Sequence, residues 1–215
     1  MVTICNYERQ RRQQAKLNRL FSSGQVPRVY AKDTFSDYTI TPENREAVKA
    51  ANWIIGNESG QGLFIYGPRG TGKTMLASII ANERLKQGKP VLFSSVPDLM
   101  GDLRATFHKG NTEETLQSVK KAAFLILDDL GAERMTEWVG EQLFAIINYR
   151  YNEQLPTIIT SNYDKREIME RMSIIDREGK VVDSMQGKRI MSRVFGMCLP
   201  ILLGGKDYRT SGGAA

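Results

Sequence analysis

Gly67-Pro68-Arg69-Gly70-Thr71-Gly72-Lys73-Thr74 is a complete G-x-x-x-x-G-K-[ST] phosphate-binding loop. The apolar run Leu63-Phe64-Ile65-Tyr66 precedes it, and the helical pattern Met75-Leu76-Ala77-Ser78-Ile79-Ile80 follows. Strand, glycine-rich loop and helix in that order turn a string match into a site. The glycines let successive backbone N–H groups curl around phosphate oxygens. The positive end of the new helix points at the same anion. Residues 67–74 are therefore expected to cradle a nucleotide's phosphates. Lys73 reaches the β- and γ-phosphates, and the Thr74 hydroxyl holds Mg²⁺.

Outward from the loop, strands and helices alternate. Strands are expected at 63–66, 91–93, 124–128 and 157–160, with a fifth over Cys198 to Leu203. Phe124-Leu125-Ile126-Leu127-Asp128 is a continuous apolar run, as in a parallel strand buried on both faces. Helices are expected at about 73–87, 97–107, 112–121, 136–153, 164–172 and 186–195. Thr41-Pro42 reads as an N-cap and first helical position of a helix carrying Val48, Trp53, Ile54 and Ile55. Ser22-Ser23-Gly24 breaks a helix-prone segment over 7–21, and Val26-Pro27 opens an extended stretch. Repeated β-α units predict an α/β fold, a parallel sheet with helices on both faces. Its ligand lies at the C-terminal ends of the strands.

The 215-residue chain is long enough for one such domain plus a small appendage. It has no apolar run long enough for a membrane span and no signal-peptide core, so no membrane role is expected. Cys5 and Cys198 make no disulfide framework, which fits a reducing, cytoplasmic setting. Net charge is +6, and it is uneven. Arg9, Arg11, Arg12, Lys16, Arg19, Arg28 and Lys32 stand against Glu8 alone in the first 32 residues. Such a segment reads equally as a solvated basic arm or as a surface for a polyanion or partner.

Three further elements carry chemistry. Asp128-Asp129 ends the third strand beside the phosphate loop. Asp128 can bind Mg²⁺, and Asp129 can orient or deprotonate an attacking water. Thr160-Ser161-Asn162 ends the fourth strand, where Asn162 can bond that water or the γ-phosphate. Arg189 and Arg193 stand at i, i+4 on one helix face, and Arg209 follows in Lys206-Asp207-Tyr208-Arg209. Taken alone, these arginines read as surface cations as readily as stabilisers of phosphoryl charge.

These elements, over residues 60–210, resemble an AAA+ ATPase. More narrowly, the chain resembles the DnaC/DnaI-type replicative helicase loaders and the IstB-like transposition helper ATPases. The strings that carry the resemblance are Phe-Ile-Tyr-Gly-Pro-Arg-Gly-Thr-Gly-Lys-Thr (64–74), Leu-Ile-Leu-Asp-Asp-Leu-Gly-Ala-Glu (125–133), Thr-Ile-Ile-Thr-Ser-Asn-Tyr (157–163), Arg-Ile-Met-Ser-Arg-Val (189–194) and Asp-Tyr-Arg (207–209). Residues 26–38 resemble the family's lead into its ATPase domain.

The resemblance implies a P-loop NTPase: a three-layer α/β/α sandwich with a five-stranded parallel sheet and a reduced C-terminal lid. It implies a basic arm or linker over 1–35, the ATPase domain over 36–210 and a flexible tail over 211–215. Lys73 and Thr74 match Walker A, Asp128 and Asp129 Walker B, Asn162 sensor 1, Arg193 the arginine finger and Arg209 sensor 2. The implied cofactors are ATP or ADP with Mg²⁺. The implied partners are a DnaB-type replicative helicase, single-stranded DNA, and a second copy of the chain through the arginine finger. Asp129 stands where many AAA+ ATPases carry Glu, so slow hydrolysis is expected, with Glu133 available to assist. Cys5 and the basic helix look like the last fragment of a helicase-binding module.

The function expected is therefore ATP-dependent loading of a replicative helicase. Lys109, Lys120, Lys121, Lys165 and Arg171 are candidates for a phosphate-tracking groove. The rival readings are a transposition helper ATPase, a P-loop small-molecule kinase, and a nucleotide-dependent binding module without turnover.

Overall fold

Among the described residues the strands run in chain order: β1 Gly62–Tyr66, β2 Leu92–Ser95, β3 Leu125–Asp128, β4 Thr157–Ser161, β5 Ile174–Ile175, β6 Val181–Asp183 and β7 Cys198–Leu202. The computed structural model describes residues 25–57, 59–107, 112–175 and 181–209, with helical positions 8, 11, 12 and 15. The readings made of Cys5, most of 7–21, Lys109 and the 211–215 tail lie outside those residues. The helices are α1 Arg45–Gly56, α2 Lys73–Lys86, α3 Val96–Phe107, α4 Thr112–Lys120, α5 Glu137–Asn152, α6 Lys165–Arg171 and α7 Met185–Met197.

Five of the strands form one sheet in the order β2-β3-β4-β1-β7. Every pairing in it is parallel, with Phe64 of β1 opposite Ile159 of β4 and Pro200 of β7. Alternation along the strands sends side chains to two cores. Leu63, Ile65, Ile126 and Ile158 pack with α1 and α2 on one face. Phe64, Leu125, Leu127 and Ile159 pack with α3, α4, α5 and α7 on the other. The result is the expected three-layer α/β/α sandwich, and Pro200 falls on an edge strand, where a missing N–H is tolerated. From β1 the chain crosses to β2 at the far edge, returns through β3 and β4, then passes β1 to reach β7. The crevice at the ends of β1, β3 and β4 is the place where such a sheet binds its ligand.

Local structure differs from expectation in four places. The first helix begins at Arg45 rather than Pro42. Asn44 folds back instead: its Oδ1 accepts from Thr41 N–H and its amide donates to Thr39 O, which closes a turn over 41–44. The stretch after Pro27 is two 3-10 turns, Arg28–Tyr30 and Phe35–Asp37, the second closed by a Thr34–Asp37 capping box. The second strand lies slightly later than 91–93. Between α6 and α7 an antiparallel hairpin pairs Ile174 with Asp183. Val26 and Phe35 pack against the α1–α2 core, and the Asn82 amide donates to Tyr30 O and Asp33 O.

Candidate nucleotide site

Three glycines in the loop after β1 take positive φ: Gly67 at 148°, Gly70 at 76° and Gly72 at 92°. L-residues with side chains rarely adopt such conformations. At Gly67 the neighbouring backbone excludes a side chain as well, and at Gly70 the Asp207 carboxylate would have to move. A Cβ at residue 67 would stand 2.3 Å from Leu203 O, and one at 70 would stand 1.8 Å from Asp207 Oδ1. The segment after β7 therefore lies on the loop: Leu203 N–H donates to Tyr66 O, and Tyr208 N–H donates to Gly70 O at 3.0 Å. Within the loop, Thr71 Oγ1 donates to Pro68 O at 2.9 Å.

Gly72 caps α2, which starts with Lys73. The Lys73 ammonium is buried and donates to Gly67 O at 2.9 Å and Pro68 O at 2.6 Å. Burial pulls its pKa down to about 8, against the opposing pull of Asp129 and Asp128. The charges of Arg209 and Arg69 also bear on it. From the next residue, Thr74 Oγ1 donates to the Asp128 carboxylate, 3.0 Å from Oδ2.

Asp128 ends β3 with 5% of its surface exposed. Thr160 Oγ1, on the adjacent β4, donates to Asp128 Oδ1 at 2.5 Å. Burial raises the Asp128 pKa to about 6, while the Thr160 bond holds it lower than burial alone would. Asp129, the next residue, takes the left-handed conformation at φ 58°. Such strain in a non-glycine residue persists only where neighbours hold it. Here Thr160 Oγ1 accepts from Asp129 N–H at 3.0 Å, and Asn162 Nδ2 donates to Asp129 Oδ1 at 3.2 Å. Thr160 thus fixes both acids. It stands in the strand-end motif read from the sequence, but its part as anchor comes only from the β3–β4 pairing.

Lys73, Thr74, Asp129, Asn162 and Arg209 line one cavity of about 310 Å³, with Asp128 directly behind Thr74. Tyr30, Asp37, Tyr38, Thr39, Met75 and Tyr208 line it as well. None of these residues carries a local sequence signature of a ligand site. The glycine cradle fits an anion, and Thr74 Oγ1 with the Asp128 carboxylate is a set of hard oxygen donors that fits Mg²⁺.

Two candidates lie elsewhere. Arg193, on α7, donates from Nε to Asn148 Oδ1 at 2.6 Å and stacks over the Phe144 ring, both on α5. It lines no part of the cavity. Glu133 lines a separate cleft with Tyr163 and Arg171, its carboxyl pushed up by burial and accepting from Gly131 N–H. The candidate groove cations do not gather either. Lys120 and Lys121 precede β3, where strands begin, whereas Lys165 and Arg171 follow β4, where strands end. Lys120 stacks over Tyr149, Lys165 over Phe195 and Arg171 over Tyr163. Among the described residues no helix is long and apolar enough to cross a membrane.

A parallel five-stranded sheet with a glycine cradle, an acid pair and a strand-end amide around one cavity is an AAA+ P-loop ATPase domain. The chain belongs to the family of IstB-like ATP binding proteins, whose profile matches residues 2–193. It is 30% identical over 211 residues to the replicative helicase loader DnaI of Bacillus subtilis, covering 95% of this chain and 67% of that one. It is 25% identical to the replicative helicase loader DnaC of Escherichia coli, covering 91% of this chain and 76% of that one. The crystal structure of DnaI matches with a TM-score of 0.71 at 32% identity, over 83% of this chain and 94% of that chain. A replication initiator DnaA bound to AMPPCP and single-stranded DNA matches at 0.67 and 25% identity, over 84% and 51%.

Proposed function

We propose that this chain is an ATP-hydrolysing loader of a replicative DNA helicase. The observation that carries the catalytic half is the gathering of Lys73, Thr74, Asp129, Asn162 and Arg209 in one cavity, with Asp128 behind Thr74. Similarity to DnaI and DnaC along most of the chain supports the loading half.

In this reading the N–H groups of 67–74 and the Lys73 ammonium hold the β- and γ-phosphates of ATP. Thr74 and Asp128 hold Mg²⁺, which when bound neutralises developing phosphate charge. Asp129 accepts a proton from the attacking water, and Asn162, bonded to the same carboxylate, keeps it aimed. Asp129 is one methylene shorter than the Glu of many AAA+ ATPases, so turnover is slow. Arg209 offsets phosphate charge from within the chain, whereas Arg193, outside its own cavity, serves the cavity of an adjacent copy. The net charge of +6 suits a single-stranded DNA partner bound in a salt-dependent way. The setting is the cytoplasm.

A second reading, transposition helper ATPase, shares this chemistry and differs in partner. An IS5376 putative ATP-binding protein of Geobacillus stearothermophilus is 27% identical over 92% of this chain, which keeps it in view. Capture assays with ATP decide between them: retention of a hexameric replicative helicase supports the loader, and retention of a transposase instead replaces it. Mixing Arg193→Ala with Asp128→Asn tests the shared site. Recovered hydrolysis in the mixture is the expected outcome, because an intact cavity then meets an intact finger. Co-assembled mixtures without recovery would assign Arg193 to its own chain or to the surface.

A further inference from the structure

We infer that Tyr38 contacts the ligand directly, its phenolic hydroxyl donating a hydrogen bond to the nucleoside half of a bound nucleotide. This rests on reading the 310 Å³ cavity as a nucleotide site. The Tyr38 ring is 7% exposed and belongs to the α1–α2 core. Its hydroxyl is buried and has no hydrogen-bond partner among the described residues, yet the side chain lines the cavity. The hydroxyl stands 3.1 Å from where a Cβ at Gly72 would lie, at the mouth of the phosphate loop.

A buried hydroxyl without a partner is costly, and a phenylalanine would fill the same space without that cost. The arrangement makes sense when the ligand supplies the acceptor. Burial also pushes the phenol well above its ordinary pKa, so it stays a neutral donor throughout the physiological range. The cations Lys73 and Arg209 and the acid Asp129 gather at the phosphate end. The part of the lining that holds Tyr38 has Tyr30, Thr39 and Met75 and carries no cation, its one charged group being the Asp37 carboxylate; such a wall suits a sugar or base rather than a phosphate.

The test compares Tyr38→Phe with the wild type in three measurements: ligand-free melting temperature, affinity for ATP and ADP, and affinity for pyrophosphate, all with Mg²⁺ where ligand is present. The expected result is an unchanged or raised melting temperature and affinities for ATP and ADP both weaker by about five- to tenfold. Pyrophosphate affinity should be unchanged. A lowered ligand-free melting temperature would reduce Tyr38 to a packing residue. Wild-type affinity for ATP in the variant, or equal weakening of pyrophosphate, would also overturn the inference. If the wild type itself binds no ATP, the nucleotide-site reading fails and this inference with it. Wild-type binding with an indifferent variant sinks the inference alone.

Discussion

At the end of the sheet where strands begin, Arg150 of α5 is fully buried, and at the end where strands stop, Lys73 of α2 is nearly so. Neither has a carboxylate within ion-pair distance among the described residues. Arg150 spends its donors on backbone and one hydroxyl. Nε donates to Thr157 Oγ1, Nη1 to the carbonyls of Val119, Lys120 and Ala122, and Nη2 to Pro156 O. It ties the last turn of α4 to the starts of β3 and β4. Lys73 has three donors and uses two, on Gly67 O and Pro68 O, beside a cavity and two aspartates. A buried cation that ties backbone carbonyls of several segments together, with no cavity beside it, belongs to the scaffold. One held at the rim of a cavity with opposite charges nearby is prepared for an anion.

Removing each cation should break different things. Arg150→Met strips five hydrogen bonds from this cluster: the Thr157 hydroxyl and the Val119 and Pro156 carbonyls keep a second partner, whereas the Lys120 and Ala122 carbonyls lose their side-chain donor, at about 1–3 kcal/mol for each group left bare. We expect a loss of at least about 4 kcal/mol of stability in urea titration, with ATP affinity of the folded fraction nearly unchanged. An Arg150→Met protein that stays stable but no longer binds ATP would erase the contrast between the two ends.

At the cavity end, Asp129→Asn should lower single-turnover hydrolysis by about a hundredfold or more while Mg·ATP still binds, because an amide accepts no proton. If Asp129→Asn is silent and Glu133→Gln abolishes turnover, the base belongs to the neighbouring cleft.

Lys73→Ala should weaken ATP by about tenfold or more, read by calorimetry, because charge-assisted bonds to phosphate are lost. Its ligand-free stability should stay close to wild type, since a poorly solvated charge goes with it. A large drop in melting temperature would make Lys73 a second Arg150.

The smallest effect concerns pH. The folded pKa of Asp128, about 6, lies above its ordinary 3.8, so the folded state resists ionisation of this group. That cost is absent below the ordinary value, grows between the two and is complete above about 6. Without ligand or divalent ion, Asp128→Asn should therefore melt above the wild type at pH 8. The gap should shrink as pH falls from 6 toward 4. A gap independent of pH would mean that packing, and not ionisation, separates the two proteins.

Much of this was legible from residue order. The loop at 67–74, the acids at 128–129 and the amide at 162 each sit at a strand end, and each strand shows as a short apolar run. Local composition misled where a side chain answered a partner outside its own segment. Thr41-Pro42 has the chemistry of a helix start, yet Asn44 closes that turn first. The hairpin joining α6 to α7 has strands too short to show a period.

The sequence alone determined the class of chemistry, because phosphate binding needs glycines at fixed spacing and an acid pair can be seen after an apolar run. Only the tertiary structure decided which groups act together. Thr160 reaches both aspartates because β4 pairs with β3. Tyr38 reaches the cavity because the 25–40 segment packs against the start of α2. Arg193 leaves its own cavity because α7 lies on α5. Those contacts join residues tens of positions apart, and their geometry follows from strand order and helix packing, which no local pattern encodes.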